Sequence, residues 1–210
     1  MKILKYLKLF YLLIVIIVLT SCDGTNETLN ALEINDGFIT PNDGLKLADA
    51  RKLIVEELKN KDVKGNIESA AIIEEITTEE FWSNVGAQLY KVDYAWINGV
   101  AITKDNKVLE VLIGMPTIGV FIADLDKDGV YEVYTNIAIG SGFVSYDILG
   151  YNIATQEIYY LSNRGEQDFS LFIEDNILMA KVSEFLSISE VEKTGKVLIN
   201  KGKIYIKEKY

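Results

Sequence analysis

Residues 121–133 read FIADLDKDGVYEV, a short acidic segment between two apolar ones. The flanks, residues 118–123 and 130–139, are rich in β-branched and aromatic side chains, which favour strands over helices. Gly129 allows the sharp turn that would bring the two flanks together. The stretch therefore predicts two strands joined by a tight acidic loop.

The acidic residues of this loop have the spacing of a metal site. Carboxylates stand at relative positions 1, 3, 5 and 9, with glycine at position 6. A hard cation such as Ca²⁺ takes about six to eight oxygen ligands, which alternate side chains of a tight loop can supply. We predict ligands from the side chains of Asp124, Asp126 and Asp128, the carbonyl of Val130, Glu132 directly or through water, and further waters. The alternative is that Asp128-Gly129 is only a hairpin turn among solvated acids.

An EF-hand does not fit, because its loop needs an acid at position 12, where this chain has Thr135. The segment resembles the calcium loop of FG-GAP and VCBS-type repeats, in which a D-x-D-x-D-G-x-x-[DE] segment joins two strands. The resemblance implies the ion role alone, for Asp124, Asp126, Asp128, Val130 and Glu132. It implies neither propeller architecture nor adhesion, because those families carry many copies and this chain has one.

The chain before the loop predicts helices. Apolar residues at three- and four-residue spacing between Leu47 and Leu58 predict an amphipathic helix that ends near residues 59–61. Thr77-Thr78-Glu79-Glu80 has the Thr-x-x-Glu form of a capping box, so a second, shorter helix is predicted to begin at Thr77.

From residue 87 onward the apolar period changes to two. Tyr90, Val92, Tyr94 and Trp96 predict a half-buried strand. Asp105-Asn106, Asp175-Asn176 and Lys201-Gly202 predict tight hairpins. We predict an α+β fold, with one or two N-terminal helices packed on a mainly antiparallel β-sheet of about six to nine strands or on a two-layer β structure.

Composition excludes several classes of function. The 210 residues contain no histidine and one cysteine, so histidine-based triads, histidine-rich zinc sites and internal disulfides are excluded. A formal net charge of −10 argues against nucleic acid as a partner, because phosphates attract an excess of Lys and Arg.

The N-terminus resembles an export signal. Lys2, Lys5 and Lys8 form a basic region, and residues 9–19 are an apolar run too short for the roughly 20 residues of a membrane span. Leu19-Thr20-Ser21-Cys22 then resembles the lipobox of bacterial lipoproteins. The resemblance implies cleavage before Cys22, acylation of that residue, and attachment to the extracytoplasmic side of an envelope membrane, inner or outer.

Three segments follow from this prediction: a signal peptide at residues 1–21, an acylated cysteine with a flexible tether at 22–36, and a single β-rich domain at 37–210. Loss of residues 1–21 removes three lysines and no acid, which lowers the formal net charge from −10 to −13.

Other features are weaker signals. Ser141 lies in a Gly-Ser-Gly segment that has neither Walker nor G-x-S-x-G spacing, which favours a turn. Glu74, Glu75, Glu79 and Glu80 could supply paired acids for glycoside hydrolysis, or simply an acidic helix start. A group of aromatic residues could form a platform that binds a sugar or a peptide, or could pack in the hydrophobic core: Phe81, Trp82, Tyr90, Tyr94 and Trp96.

The sequence thus favours a membrane-anchored, non-catalytic binding or interaction module with a structural Ca²⁺ loop and a protein or glycan partner. An envelope assembly or accessory protein and a carboxylate-based hydrolase are the alternatives. A cleft with facing carboxylates would favour the hydrolase, and a large exposed apolar patch the assembly protein.

Overall fold

The computed structural model describes residues 31–35, 37–140, 143–185 and 191–208. These ranges contain thirteen strands: β1 (Ala31–Glu33), β2 (Ile72–Glu75), β3 (Gln88–Tyr94), β4 (Ile97–Lys104), β5 (Lys107–Gly114), β6 (Thr117–Ala123), β7 (Glu132–Ile139), β8 (Ser145–Asn152), β9 (Glu157–Leu161), β10 (Gln167–Glu174), β11 (Ile177–Glu184), β12 (Val191–Asn200) and β13 (Lys203–Glu208). They also contain three helices: α1 (Leu47–Asn60), α2 (Ile67–Ala70) and α3 (Glu79–Val85). None of these helices is long and apolar enough to cross a bilayer.

The strands form three antiparallel sheets. The first sheet has the order β2-β3-β4-β5, the middle sheet β1-β6-β7-β8-β9, and the C-terminal sheet β10-β11-β12-β13. Strands make up 54% of the described residues and helices 15%. The α+β prediction, with N-terminal helices packed on one sheet, is therefore wrong, and the fold is mostly β.

The prediction undercounted strands because several of them do not alternate. In β7 every residue from Glu132 to Ala138 is buried, so the strand reads as a continuous buried run. Strands covered on both faces lose the two-residue period on which sequence reading depends.

The middle sheet lies between the other two. Neighbouring residues on β7 point into separate cores: Val133 packs toward the first sheet with Ile102, and Tyr134 packs toward the C-terminal sheet with Leu178. Burial on both faces explains why β7 contains no exposed side chain.

Both predicted helices are present. α1 buries Ala50, Ile54, Val55 and Leu58 against the opposite face of the first sheet. α3 begins at Glu79, two residues later than predicted, because its N-cap is Thr78, whose Oγ1 accepts a hydrogen bond from the Phe81 N–H at 3.3 Å. Thr77 Oγ1 instead accepts from the Leu89 N–H at 3.0 Å, which ties the segment to β3.

The three predicted hairpin turns are confirmed. Both central residues have positive φ in each turn: 51° and 59° at Asp105-Asn106, 52° and 59° at Asp175-Asn176, and 52° and 72° at Lys201-Gly202. This left-handed geometry matches the twist of the paired strands and sets their register.

Two regions differ in detail from the prediction. β3 ends at Tyr94, and Trp96 lies in the following turn with 72% of its surface exposed. Residues Ala31–Glu33, inside the range predicted as tether, form β1 and pair with β6. Ala31 is fully buried in the core between the middle and C-terminal sheets.

Candidate metal centre

The acidic loop connects β6 to β7. Asp124 follows the last residue of β6, and Glu132 is the first residue of β7, where it pairs with Ala123. The predicted strand, loop, strand arrangement is confirmed. Because the two strands are antiparallel neighbours, the loop must reverse the chain within a few residues, which crowds its side chains.

Three carboxylates converge in this loop. Asp124, Asp126 and Asp128 each offer a carboxylate oxygen, and these oxygens all lie within 4.8 Å of one another. Asp124 is partly buried, whereas Asp126 and Asp128 are exposed, so the cluster opens to solvent. An all-oxygen set of negative groups fits a hard cation, and this cluster could hold a metal ion.

The backbone of the loop is held by the same aspartates. Asp124 Oδ1 accepts from the Asp128 N–H at 3.1 Å, and its Oδ2 accepts from the Gly129 N–H at 3.0 Å. Asp128 Oδ1 accepts from the Val130 N–H at 2.7 Å. Gly129 has φ +86°, a backbone conformation that residues with a side chain rarely adopt. The loop is thus folded around its acidic groups.

The pKa of Asp124 lies above its ordinary value. Burial is the main cause that raises the pKa of this carboxyl, the backbone N–H groups of Gly129 and Lys127 oppose the rise, and the charges of Asp128 and Asp126 add to it. A bound cation would remove the repulsion among these groups.

Glu132 forms the floor of the loop. It is fully buried, and its Oε2 accepts from the Leu125 N–H at 2.8 Å and from the Tyr134 hydroxyl at 3.1 Å. Burial raises the pKa of Glu132 to about 8, and the charge of nearby Asp126 adds to the rise. Glu132 therefore lies beside the three-aspartate cluster and joins it through Asp126.

Asn152, at the end of β8, links the cluster to its floor. Its Nδ2 donates to Asp126 Oδ2 at 2.7 Å and reaches Glu132 Oε1 at 3.4 Å. Its Oδ1 accepts from the Thr155 N–H at 2.8 Å, which fixes the orientation of the amide. Sequence reasoning missed this residue, because only the pairing of β7 with β8 brings it to the loop.

Helix α3 holds the outer side of the loop. Asn84 Nδ2 donates to the Gly129 carbonyl at 3.0 Å, and Asn84 Oδ1 accepts from the Tyr131 N–H at 2.9 Å. The Tyr131 hydroxyl donates to Glu80 Oε1 at 2.6 Å. No local motif marks Asn84 as a partner of a loop that lies 45 residues later in the chain.

The structure brings three of the predicted metal ligands into one cluster and places a fourth beside it. The aspartates form the cluster and Glu132 lies beneath it, whereas the contact described for Val130 is its N–H bond to Asp128. The ligand role of the Val130 carbonyl stays a prediction. Cys22 and Ser141 lie outside the described residues.

The other predicted constellations do not converge on one site. Glu75 Oε1 accepts from Thr77 and Gln88 on the first sheet, while Glu80 bonds to Tyr131 at the loop. Tyr90 and Phe81 are fully buried in two different cores, and Trp96 is exposed in a turn.

The three aspartates could bind a cation, which would neutralise their charges. The loop that carries them is held by β6 and β7, by Asn84 of α3 and by the side-chain amide of Asn152. Comparison with protein families, with curated proteins and with solved structures finds no match to this chain.

Proposed function

We propose that the protein is a lipid-anchored, non-catalytic binding module whose β-sheet stack is stabilised by Ca²⁺ in the Asp124–Glu132 loop. The observation that carries the proposal is the convergence of three aspartate carboxylates, within 4.8 Å of one another, between the buried end of β6 and the buried strand β7.

The donor set favours Ca²⁺ over Mg²⁺. Mg²⁺ demands near-ideal octahedral geometry and gives up water reluctantly, whereas Ca²⁺ accepts irregular sets of carboxylates, carbonyls and waters. Outside the cytoplasm, where the signal sequence would send this chain, calcium modules work with Kd values of roughly 10⁻⁴ to 10⁻³ M. An exposed cluster of moderate affinity suits that setting.

The position of the loop supports a structural role for the ion. Leu125 packs in the core shared with the C-terminal sheet, and Tyr131 packs in the core shared with the first sheet. An ion that closes the loop would hold both residues in place. Such an ion stabilises the stack without taking part in a reaction.

A calcium titration with thermal unfolding tests the proposal. We expect the melting temperature of the full chain in detergent to rise with millimolar CaCl₂, because an ion that binds only the folded state stabilises it. Asp126→Asn should abolish most of this rise. Asp105→Asn, the same change in a turn that tolerates asparagine, is the matched control and should keep it.

Two results would overturn the calcium role. One is a melting temperature that does not respond to CaCl₂ in the unsubstituted protein. The other is an equal response in Asp126→Asn and Asp105→Asn, which would show that calcium acts at another place.

The proposal of a lipid anchor is supported by the sequence that ends at Cys22. Two or three acyl chains hold a protein stably on a bilayer, whereas one chain holds it marginally. The partner that the module would bind on this surface is a protein or a glycan.

A further inference from the structure

The C-terminal sheet has one face in the core and one that points away from the middle sheet. Val182, Val197 and Ile204 belong to the core. Side chains alternate along a strand, so their neighbours lie on the opposite face. We call this opposite face the basic face, and its lysines are Lys181, Lys196, Lys203 and Lys207.

Apolar and aromatic side chains separate these lysines. Phe172, Ile177, Leu198 and Tyr205 have the same orientation, and Leu198 pairs directly with Tyr205. Lys181 Nζ lies 5.3 Å from the centroid of the Phe172 ring, which places both on one surface. Tyr205 is 43% exposed. The basic face therefore combines ammonium groups with partly exposed apolar surface.

The charge of this face is opposite to that of the whole chain. The chain has a formal net charge of −10. By the same alternation, the described side chains of the basic face include two carboxylates, Asp168 and Glu174, against four lysines, and Asp168 Oδ1 accepts hydrogen bonds from the Ser145 hydroxyl and the Tyr146 N–H. An anionic surface would attract this face and repel the remainder of the molecule, and such an attraction acts within about a Debye length.

The first stretch of the described chain, at Ala31, lies at one end of the strands of the C-terminal sheet. The Ala31 N–H donates to the Asn176 carbonyl in the β10–β11 turn at 2.8 Å. The β12–β13 turn lies at the same end of the sheet, since the four strands form a meander. Residues 22–31 span at most roughly 30 Å when extended, whereas a four-stranded sheet is about 15–20 Å wide. A lipid at Cys22 would thus keep the basic face within reach of the bilayer.

We infer that the basic face docks on the anionic phospholipid surface to which the chain is tethered. This inference rests on the proposed anchor at Cys22. Lysines beside an aromatic ring suit the headgroup region, where ammonium groups meet lipid phosphates and the ring reaches the interface. Docking would turn the first sheet and α1 away from the membrane, toward a soluble partner.

Hydrogen exchange on vesicles tests this docking. The purified lipidated protein is reconstituted into phosphatidylcholine vesicles, with or without phosphatidylglycerol, and flotation is measured first. We expect flotation with both vesicles. We expect amide exchange in residues 191–208 to slow severalfold only when phosphatidylglycerol is present, and high salt to reverse the effect.

The variant that tests the basic face reverses the charge of two of its lysines. Lys203→Glu with Lys207→Glu changes two exposed residues of an edge strand, and an unchanged melting temperature would show that it still folds. It should lose the lipid-dependent protection. Lys52→Glu with Lys64→Glu makes the same change near α1, where these side chains are 79% and 81% exposed, and should keep it.

The possible outcomes distinguish a failure of the docking face from a failure of the lipid anchor. No flotation with pure phosphatidylcholine would refute the anchor and with it this inference. Flotation without phosphatidylglycerol-dependent protection, or equal protection in both double variants, would refute the docking face alone. Protection of residues 191–208 by soluble polyglutamate but not by the vesicles would assign the face to an acidic protein and also overturn the inference.

Discussion

Glu132 differs from the aspartates that precede it because it is fully buried under the loop. Its carboxylate accepts hydrogen bonds from Leu125 and Tyr134, but these bonds do not offset the loss of water. Its side chain therefore favours the protonated form until an ion or a higher pH removes the proton. Sequence spacing alone gives Glu132 the same status as Asp126, and burial distinguishes the two.

The metal-free protein should lose stability as the pH rises from about 5 to 8. The pKa of Glu132 is near 8 in the folded protein against an ordinary value of 4.5, so in this window the unfolded chain releases a proton that the folded chain keeps. The free energy of unfolding then falls with pH, by at most about 1.4 kcal/mol per unit. Urea unfolding in a chelator at pH 5, 6.5 and 8 measures it.

Glu132→Gln should flatten this dependence, since a carboxamide does not titrate in the window. Glu157→Gln, the same change at an exposed position of β9, is the control and should keep the slope. Equal slopes in the two variants would show that another group causes the pH dependence.

At the scale of elements, the candidate site depends on a helix and a strand that are remote in sequence. α3 holds the loop through Asn84, and β8 holds it through Asn152. The helix itself was predicted from Thr77–Glu80, but its contact with the loop was not. A helix pattern shows which residues turn inward and does not show which loop they meet.

Removal of the Asn84 amide should loosen the loop. Asn84→Ala deletes hydrogen bonds of 3.0 Å to Gly129 and 2.9 Å to Tyr131. Each such bond contributes about 0.5–1.5 kcal/mol, so we expect a lower melting temperature and calcium binding weakened severalfold. Calorimetric titration with CaCl₂ measures the affinity. The neighbouring exposed Ser83→Ala is the control, and an unchanged Kd in Asn84→Ala would show that α3 does not shape the site.

At the scale of the whole molecule, three sheets share two interior cores with the middle sheet between them. Four-stranded antiparallel sheets form the blades of β-propellers, which close with about four to eight blades, whereas the middle sheet here has five strands. The described residues contain three sheets. In this stack, α1 covers the outer face of the first sheet. The outer face of the C-terminal sheet carries the lysines of the basic face.

A cavity in one core should destabilise the stack. Leu178 is fully buried between the middle and C-terminal sheets, and Leu178→Ala should lower the free energy of unfolding by about 2–5 kcal/mol. Leu47→Ala, the same change at a position that is 45% exposed on α1, should alter it by less than about 0.5 kcal/mol. Chemical denaturation followed by circular dichroism compares them, and equal losses would contradict the packing.

Local sequence determined the features that depend on neighbouring residues. The turn pairs at Asp105, Asp175 and Lys201 adopt the left-handed backbone that their residue types favour, α1 follows its apolar spacing, and the aspartates of the loop converge because alternate side chains of a tight turn must. Each of these depends on contacts within a few residues, which the order of amino acids expresses directly.

Tertiary structure alone decided the division into three sheets, the burial of Glu132, and the contacts of Asn84 and Asn152 with the loop. The prediction of helices packed on one sheet failed for the same reason. Strands buried on both faces, such as β7, carry no periodic signal, and contacts across 20 or more residues depend on which strands pair. Pairing is determined by the packing of the complete chain, because a strand can bury its apolar side chains against many partners and only the assembled cores select one.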